Sequence, residues 1–326
     1  MTRSAVARSL TGVAALLIVL TGCVAGSGGT ASSTPATPLI DQDFPDPDIV
    51  HSGGQYVAFA TNSPAYAIQE ATSPDLTHWS YRGDDALPQL PAWATSGRTW
   101  APDVSPAPGG GWLMYFVAED TASHKQCIGV AMAAKVLGPY RPASDAPVIC
   151  PITEGGAIDP QLFTDTDGTR YLVFKTDGNC CALDTWIELA RLSADGRSIV
   201  GTPSRLIRQT LGWEGKVVEA PTLIRHGSRY VLLYSANDYS HDRYAIGVAS
   251  AASLNGPYSK RSEPLLSTVS SHGLYLGPGG QDIVTGPNGD ELVFHSWDAS
   301  YAYRAMRSLP LRWQGDAPSV TPPAGG

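Results

Sequence analysis

The sequence of 326 residues has little charge, and it has no cluster of lysine or arginine. Only 16% of its residues are charged, 43% are hydrophobic, and the formal net charge is −8. Nucleic acids and anionic lipids both attract concentrated positive charge, so neither is expected as the main partner. The composition instead indicates a globular protein with a sizeable core and an uncharged ligand.

Long amphipathic helical patterns are also missing after residue 40, which argues against a helical fold. Instead, 34 glycines and 26 prolines separate short runs rich in Val, Ile, Tyr and Phe, which is typical of an all-β chain. One run recurs as GQYVAFATN, GWLMYFVAE, TRYLVFKTD, SRYVLLYSA and DELVFHSWD, starting at residues 54, 111, 169, 228 and 290. A second phrase follows it as AAKVLGPYR from Ala133, AASLNGPYS from Ala251 and, more loosely, ATSPDLTHWS from Ala71.

Two phrases that repeat in phase indicate one structural unit used five times. A period of about 60 residues with several strands per unit is typical of a β-propeller, in which each repeat is a four-stranded blade. A β-sandwich also has regularly spaced strands, but it does not repeat whole sequence phrases. We therefore predict an all-β, five-bladed β-propeller over residues 39–326.

The one long apolar run of the chain lies near the N-terminus, from Leu10 to Leu20, and follows Arg3 and Arg8. This pattern is typical of a signal peptide, and the run is short for a membrane span. It predicts that the protein is exported.

The sequence LTGC, which ends at Cys23, resembles the lipobox of bacterial lipoproteins. We therefore expect removal of residues 1–22 and a lipid anchor on Cys23, which would hold the protein at the outer face of the cell membrane. The alternative is an ordinary secretory signal with an incidental cysteine. Residues 23–38 are small, polar and rich in Gly, Ser, Thr and Pro, which predicts a flexible tether.

Cysteine is scarce, and four cysteines remain besides the expected anchor. An even number in an exported protein favours disulfides. Three pairings exist, and we prefer Cys127 with Cys150 and Cys180 with Cys181, because the members of each pair are close in sequence. No histidine lies at ligand spacing from these cysteines, which disfavours the alternative of a zinc site.

A third repeated phrase lies just before each apolar run, as PDPDIV, WAPDVS, AIDPQLF, EAPTLI and GGQDIV. In a propeller these phrases would be the innermost strands, whose ends line the mouth of the central channel. Small or acidic side chains at one register leave room for a cavity there, and the phrases contain no lysine or arginine. Alignment on the apolar position places five residues in one register: Asp46, Ala101, Asp159, Ala220 and Gly280.

Three acids from separate blades are expected to meet in this cavity. Asp46 and Asp159 share the register on blades one and three, and Glu219 stands one residue before it on blade four. In a regular strand that offset would turn Glu219 to the other face, so we predict a bulge or twist that re-aims it. Asp43 and Asp48 lie close to prolines and are interpreted as residues that cap turns or accept backbone hydrogen bonds.

Several carboxylates around an uncharged ligand suit glycoside hydrolysis. One carboxyl, kept protonated, donates to the leaving oxygen, while another, ionised, takes a proton from water. A third carboxylate raises the pKa of the acid through like-charge repulsion. Calcium binding is the alternative, although calcium favours more oxygen ligands at close quarters.

The repeated phrases resemble glycoside hydrolase family 43 from about residue 39 to the C-terminus. The matching stretches are FPDPDIV, TWAPDVS, AIDPQLFTDTDGTRYLVF, VEAPTLIRHGSRYVLLYSA and GPGGQDIV. The resemblance implies a propeller that hydrolyses arabinose- or xylose-containing polysaccharides with inversion. It implies Asp46 as general base, Asp159 as the residue that orients the site and modulates the acid's pKa, and Glu219 as general acid. It favours α-L-arabinofuranosidase over β-xylosidase and endo-arabinanase, with arabinan, arabinoxylan or their oligosaccharides as ligands.

The resemblance also implies two substrate-binding residues. Trp100 resembles the family's wall aromatic, with a core tryptophan as the alternative, and Arg304 resembles an arginine that reaches the pocket from the last blade, with a surface arginine as the alternative. Many family members have a histidine where this chain has Gly280, and that histidine often belongs to a central water or metal site. We therefore carry over no metal and expect no required cofactor, and a structural metal ion in the channel stays open. His295 is interpreted as a core histidine in preference to a channel residue.

Two other functions stay open at this point. A propeller that binds sugar without cleaving it has no need for all three acids, which this chain retains. A retaining relative that acts on fructans would use a carboxylate nucleophile and a closer pair of carboxyls than an inverting enzyme. We expect a monomer, either lipid-anchored or secreted.

Overall fold

The computed structural model describes residues 1–2 and 36–323, so Cys23 and most of the expected signal peptide and tether lie outside the described residues. The described part contains 22 strands and three short 3-10 helices, at Ile152–Glu154, Gly178–Cys181 and Gly212–Glu214. Among the helices described, none is long and apolar enough to cross a membrane. The predicted all-β fold is confirmed.

The strands form one antiparallel sheet for each repeat, and the five-bladed β-propeller is confirmed. Blade one contains β1 (Asp48–Ser52), β2 (Gln55–Ala60), β3 (Gln69–Ser73) and β4 (Ser80–Tyr81). Blade two contains β5 (Ala94–Pro106), β6 (Trp112–Asp120), β7 (Gln126–Ala133) and β8 (Arg141–Pro142). Blade three contains β9 (Ala157–Thr164), β10 (Arg170–Thr176), β11 (Trp186–Leu192) and β12 (Ile199–Arg208).

Blades four and five complete the ring. Blade four contains β13 (Val218–His226), β14 (Arg229–Ala236), β15 (Ala245–Ala251), β16 (Ser259–Lys260) and β17 (Leu266–Ser267). Blade five contains β18 (Leu276–Gly286), β19 (Gly289–Trp297) and β20 (Arg304–Pro310). A separate hairpin of β21 (Arg312–Gln314) and β22 (Ala317–Ser319) follows.

The repeated apolar runs form the second strands of the blades. Each run is continuously apolar because both faces of the strand are covered by neighbouring blades. On β6, Met114 and Phe116 pack against blade one, whereas Leu113 and Tyr115 pack against blade three. Hydrophobic clusters of this kind lie between all five pairs of adjacent blades. The core is therefore a ring of interfaces between blades.

Residues 39–44 close the propeller. Ile40 forms a bridge with Met306 of β20, and the backbone N–H groups of Leu39 and Phe44 donate to the carbonyls of Met306 and Arg304, each at 2.9 Å. The start of the domain thus lies along the outermost strand of the last blade. This contact joins the first blade to the fifth.

A ring of hydrogen bonds surrounds the channel two residues beyond the predicted register. At this position each blade's side chain bonds the backbone of the next blade, which fixes how the inner strands stand around the axis. The acceptors are Asp48 for the N–H of Val104 (2.9 Å), Asp103 for Leu162 (3.1 Å), Gln161 for Leu223 (3.1 Å) and Asp282 for Ile49 (3.0 Å), and the hydroxyl of Thr222 donates to the carbonyl of Gln281 (2.7 Å).

The structural interpretation of Asp43 and Asp48 is therefore confirmed. Asp48 is part of this ring, and Asp43 accepts the backbone N–H of Arg304 at 3.0 Å. The structure also joins Cys127 to Cys150 and Cys180 to Cys181 as disulfides. The second pair lies in the short helix between β10 and β11.

Candidate active site

The predicted register is a ring of five residues with a left-handed backbone. Their φ angles are 55° at Asp46, 39° at Ala101, 54° at Asp159, 47° at Ala220 and 55° at Gly280. A residue with a Cβ in this region costs roughly 1–3 kcal/mol, so the shape is imposed by the surrounding blades. In blades two to five the strand pairing slips at the same place, which is the mark of a β-bulge.

The bulge explains how Glu219 reaches the cavity. The pairing of β13 with β14 slips between Glu219 and Thr222, so the strand is re-aimed at the position where a regular strand would turn Glu219 away. The predicted bulge is confirmed. Asp46, Asp159 and Glu219 line one pocket of about 300 Å³ next to the central channel.

Side chains from several blades complete this pocket. Trp100 and Arg304 both line it, where the sequence analysis placed them. The remaining lining residues are Thr61, Ile158, Lys175, Asp177, Asn179, Ala220, Tyr239 and Tyr244. The walls thus combine aromatic faces with a few charged and hydroxyl groups, as is usual for sites that bind sugars and other small polar molecules.

Asp46 is held as a carboxylate. The hydroxyl of Thr61 donates to its Oδ2 at 2.7 Å, and a guanidinium nitrogen of Arg304 lies 4.0 Å from its Oδ1. Burial by itself raises the pKa of Asp46, but its contacts with His295, Arg304 and Thr61 outweigh it and hold the pKa well below its usual range. Asp46 is therefore ionised at neutral pH.

His295 lies directly behind Asp46. Its Nδ1 is 3.0 Å from the backbone nitrogen of Asp46 and 3.3 Å from Oδ1. Because the backbone N–H cannot give up its proton, Nδ1 accepts from it and Nε2 carries the ring hydrogen. Burial lowers the pKa of His295, which keeps the ring neutral. His295 is buried as predicted, yet it also contacts the site.

Gly280 leaves the space that His295 occupies. A Cβ at Gly280 would lie 2.5 Å from atoms of the His295 ring and 2.6 Å from Oδ1 of Asp46, and the backbone there has φ 55°. The position therefore accepts no side chain in this arrangement. The histidine that the family resemblance would lead one to expect here would clash with His295 and Asp46 in this arrangement.

Both oxygens of Glu219 have partners. The hydroxyl of Tyr244 donates to Oε1 at 2.8 Å, and Nζ of Lys175 donates to Oε2 at 2.8 Å. Nζ of Lys175 also lies 3.2 Å from Oδ1 of Asp177, and the Lys175 side chain is 1% exposed. Burial opposes the charge on Lys175, but the charges of Glu219, Asp177 and Asp159 outweigh it and raise its pKa, so Lys175 is an ammonium ion.

Asp159 differs from Asp46 although the two share a register. Its Oδ2 accepts the backbone N–H of Ala220 at 2.9 Å. Burial and the neighbouring charge of Glu219 raise the pKa of Asp159 to about 8. Asp159 therefore holds a proton at neutral pH, close to Glu219. One site thus contains an ionised carboxylate and a carboxyl pair that retains a proton.

Sequence reasoning missed several residues of the pocket, above all Lys175, Thr61 and Tyr244. It noted correctly that the innermost strands carry no lysine, but Lys175 and Thr61 come from the second strand or its end, and Tyr244 precedes the third strand of blade four. One signal was present. Lys175 is the single charged residue inside the apolar part of TRYLVFKTD, where a cation needs a partner.

The carboxylates of the channel belong to the ring of hydrogen bonds between blades. The carboxylates of Asp48, Asp103 and Asp282 are each used by a backbone N–H of the next blade, and Gly280 replaces the histidine. Over residues 1–2 and 36–323, no group of three or more His, Cys, Asp or Glu is arranged to hold a metal ion. We derive no step through a metal.

Comparisons with known proteins agree with this fold. The family model "Glycosyl hydrolases family 43" matches residues 35–317. The chain is 28% identical over 276 residues to "Extracellular endo-alpha-(1->5)-L-arabinanase 1" of Bacillus subtilis (strain 168), with 78% of this chain and 80% of that protein covered. It is 27% identical over 306 residues to "Extracellular exo-alpha-(1->5)-L-arabinofuranosidase" of Streptomyces avermitilis, with 86% of this chain and 60% of that protein covered.

A solved structure shows the same fold. The crystal structure of a thermostable family-43 glycoside hydrolase matches with a TM-score of 0.78 at 26% identity, and the match covers 90% of this chain and 97% of that one. The fold, the bulged ring of the inner strands and the family match lead to one conclusion: the chain is a glycosidase that belongs to glycosyl hydrolase family 43.

Proposed function

We propose that the protein is an inverting α-L-arabinofuranosidase that removes terminal arabinose from arabinan, arabinoxylan or their oligosaccharides. The observation that carries this proposal is the meeting of Asp46, Asp159 and Glu219, from three blades, in one pocket. A volume of about 300 Å³ is at the lower end for ligand pockets, which favours a terminal sugar over a long internal stretch of polymer.

The protonation states suggest the division of labour. Asp46 is ionised, so it serves as the base that takes a proton from the attacking water. Glu219 donates a proton to the leaving oxygen, and Asp159 keeps a proton on the carboxyl pair up to about pH 8. In an inverting reaction the water attacks from the face opposite to the leaving group, so one displacement suffices.

Aromatic and cationic groups bind the sugar in this proposal. Trp100 offers an apolar face to the sugar ring. The guanidinium of Arg304 lies over the rings of Tyr239, at 5.0 Å, and Trp297, at 5.9 Å, which keeps it directed at the pocket. Arg304 thereby stands next to Asp46, where it can bind a sugar hydroxyl.

Hydrolysis of a substrate panel tests the proposal. We expect release of nitrophenol from the α-L-arabinofuranoside, little release from the β-D-xyloside, and arabinose as the first product from debranched arabinan. NMR of the first-formed sugar should show the anomer opposite to that of the substrate. A ladder of arabino-oligosaccharides would assign endo-arabinanase activity, preferential xyloside cleavage would assign a β-xylosidase, and absence of all hydrolysis would assign a sugar-binding propeller.

The two carboxyl environments predict a broad pH profile. Activity requires Asp46 ionised, and its lowered pKa keeps that form present as the pH falls, so kcat/KM should hold its plateau down to about pH 4. Activity also requires a proton on the Asp159 and Glu219 pair, so the alkaline limb should fall near pH 8. A profile of kcat/KM from pH 3 to 10 measures both limbs. An alkaline limb near pH 5, as for an ordinary carboxyl, would contradict the assignment.

We also propose that the protein is exported and anchored through a lipid on Cys23. LTGC at residues 20–23 supports the anchor, and two relatives are named extracellular. Cys23→Ser should move the protein from the membrane fraction to the soluble fraction, because the acyl chains hold it at the membrane. Cys127→Ser, which leaves the lipobox intact, is the control. Equal membrane association of Cys23→Ser and the wild type would refute the anchor.

A further inference from the structure

We propose that Lys175, held in place by Asp177, is a positioning residue that fixes the carboxyl of Glu219 and stabilises the charge that this carboxyl gains on proton donation. The inference rests on the proposed role of Glu219. It goes beyond that role because it gives a function to Lys175, a residue of the second strand of blade three that neither the sequence analysis nor the comparisons identify.

The geometry leaves Glu219 little freedom. Its Oε1 accepts from Tyr244 and its Oε2 accepts from Lys175, both at 2.8 Å, so the carboxyl plane is fixed from two sides. Lys175 is itself fixed by a second contact, with Asp177 at 3.2 Å. Lys175 comes from β10, and its backbone pairs with Ile158, next to Asp159, so the same strand that shapes the bulge of blade three also delivers the cation.

Charges of both signs surround this carboxyl. The charge of Lys175 faces Glu219, Asp177 and Asp159. The charge of Lys125 lowers the pKa of Asp177. The charge of Asp46 raises the pKa of Asp159. A nearby cation favours the ionised form of a carboxyl, and a nearby anion disfavours it. Lys175 therefore opposes Asp159 and Asp177 in deciding at which pH the carboxyl pair loses its proton.

This balance bears directly on proton donation. As Glu219 gives its proton to the leaving oxygen, a negative charge develops 2.8 Å from the ammonium of Lys175. A charge already placed where the transition state needs it stabilises that state strongly in a site that excludes water. Lys175 thus stabilises the charge that Glu219 gains as it donates its proton.

A purely structural ion pair is the competing explanation, and the chain offers a matched control. Lys260 and Glu214 form a buried pair in blade four, at 2.6 Å, with Glu214 fully buried and Lys260 10% exposed. Neither residue lines the pocket of Asp46. Removing either lysine leaves a buried carboxylate without its cation, so both changes carry a comparable cost in stability.

The test is the alkaline limb of kcat/KM on an arabino-oligosaccharide, measured for Lys175→Met, Asp177→Asn and Lys260→Met. Loss of the cation in Lys175→Met should move the limb to higher pH by about one unit or more, and loss of the anion in Asp177→Asn should move it to lower pH. Lys260→Met should leave it in place. Lys175→Arg, which keeps the charge, should leave the limb closer to the wild type than Lys175→Met does.

Opposite shifts of the alkaline limb in Lys175→Met and Asp177→Asn support the inference, because a loss of stability alone does not move that limb. Unchanged limbs in both, or the same shift in Lys260→Met, overturn it. If Lys175→Met does not fold, the direction of the shift in Asp177→Asn decides. Glu219→Gln distinguishes failure of the proposed function from failure of this inference. If that variant keeps full activity on the oligosaccharide, the proposed function fails. If it is inactive while the alkaline limb stays in place in Lys175→Met and Asp177→Asn, this inference alone is overturned.

Discussion

Replacement of Asp46 by asparagine should lower kcat on every substrate, on the order of 1,000-fold, the range expected for removal of a general base. An amide cannot take the proton from water, and deprotonation of the attacking water is common to all substrates of an inverting enzyme. The loss should therefore be the same for aryl arabinosides and for oligosaccharides. The change is nearly isosteric, and the oxygen of the new amide can still accept from Thr61, which bonds Oδ2 in the wild type.

The comparison needs a carboxylate of the same blade with no role in the pocket. Asp75 serves, because it lies in an exposed turn and accepts the backbone N–H groups of Thr77 and His78. Asp75→Asn should keep wild-type kcat with both classes of substrate. Retention of activity in Asp46→Asn, or a loss confined to one class of leaving group, would remove Asp46 from the role of base.

The sequence allowed the architecture and the register of the acids to be predicted because the propeller repeats. Five copies of one phrase place Asp46, Ala101, Asp159, Ala220 and Gly280 at equivalent positions, and all five have the same left-handed backbone in the structure. The offset of Glu219 predicted the bulge for a physical reason, since side chains alternate along a strand. Repetition supplied a comparison within a single chain.

Residues that depend on how blades face one another could not be predicted in this way. Lys175 of TRYLVFKTD pairs with the residue just before the shared register, and the residues that pair at the same place on blades two, four and five are Val117, Ser235 and His295. Two of these four residues, Lys175 and His295, contact the candidate acid and base, whereas Val117 packs in the core and Ser235 donates a hydrogen bond to Gln281. The pattern shows that these two residues are unusual for a buried strand, but only the packing of β10 against β13 and of β19 against blade one shows which partner each one meets.

Glu219→Gln should produce a loss that depends on the leaving group. The substitution removes the proton donor but preserves the shape: the amide oxygen can accept from Lys175, and the amide nitrogen can donate to the oxygen of Tyr244. An arabinosyl leaving group departs as a poor alkoxide unless it is protonated, so kcat/KM on an oligosaccharide should fall on the order of 1,000-fold. A dinitrophenyl leaving group departs as a stable anion, so its hydrolysis should fall by about tenfold or less.

The measurement is the ratio of kcat/KM for a series of aryl arabinosides of decreasing leaving-group acidity, in wild type and in Glu219→Gln. In the wild type, protonation by Glu219 makes the rate depend weakly on the leaving group, whereas in the variant the rate should rise steeply as the leaving group becomes more acidic. The alkaline limb of the pH profile should also disappear for the dinitrophenyl substrate, because no proton on the carboxyl pair is then required. Equal losses across the series, with the alkaline limb retained, would show that Glu219 binds substrate without donating a proton, and the acid would then have to be its protonated neighbour Asp159, whose pKa is raised to about 8.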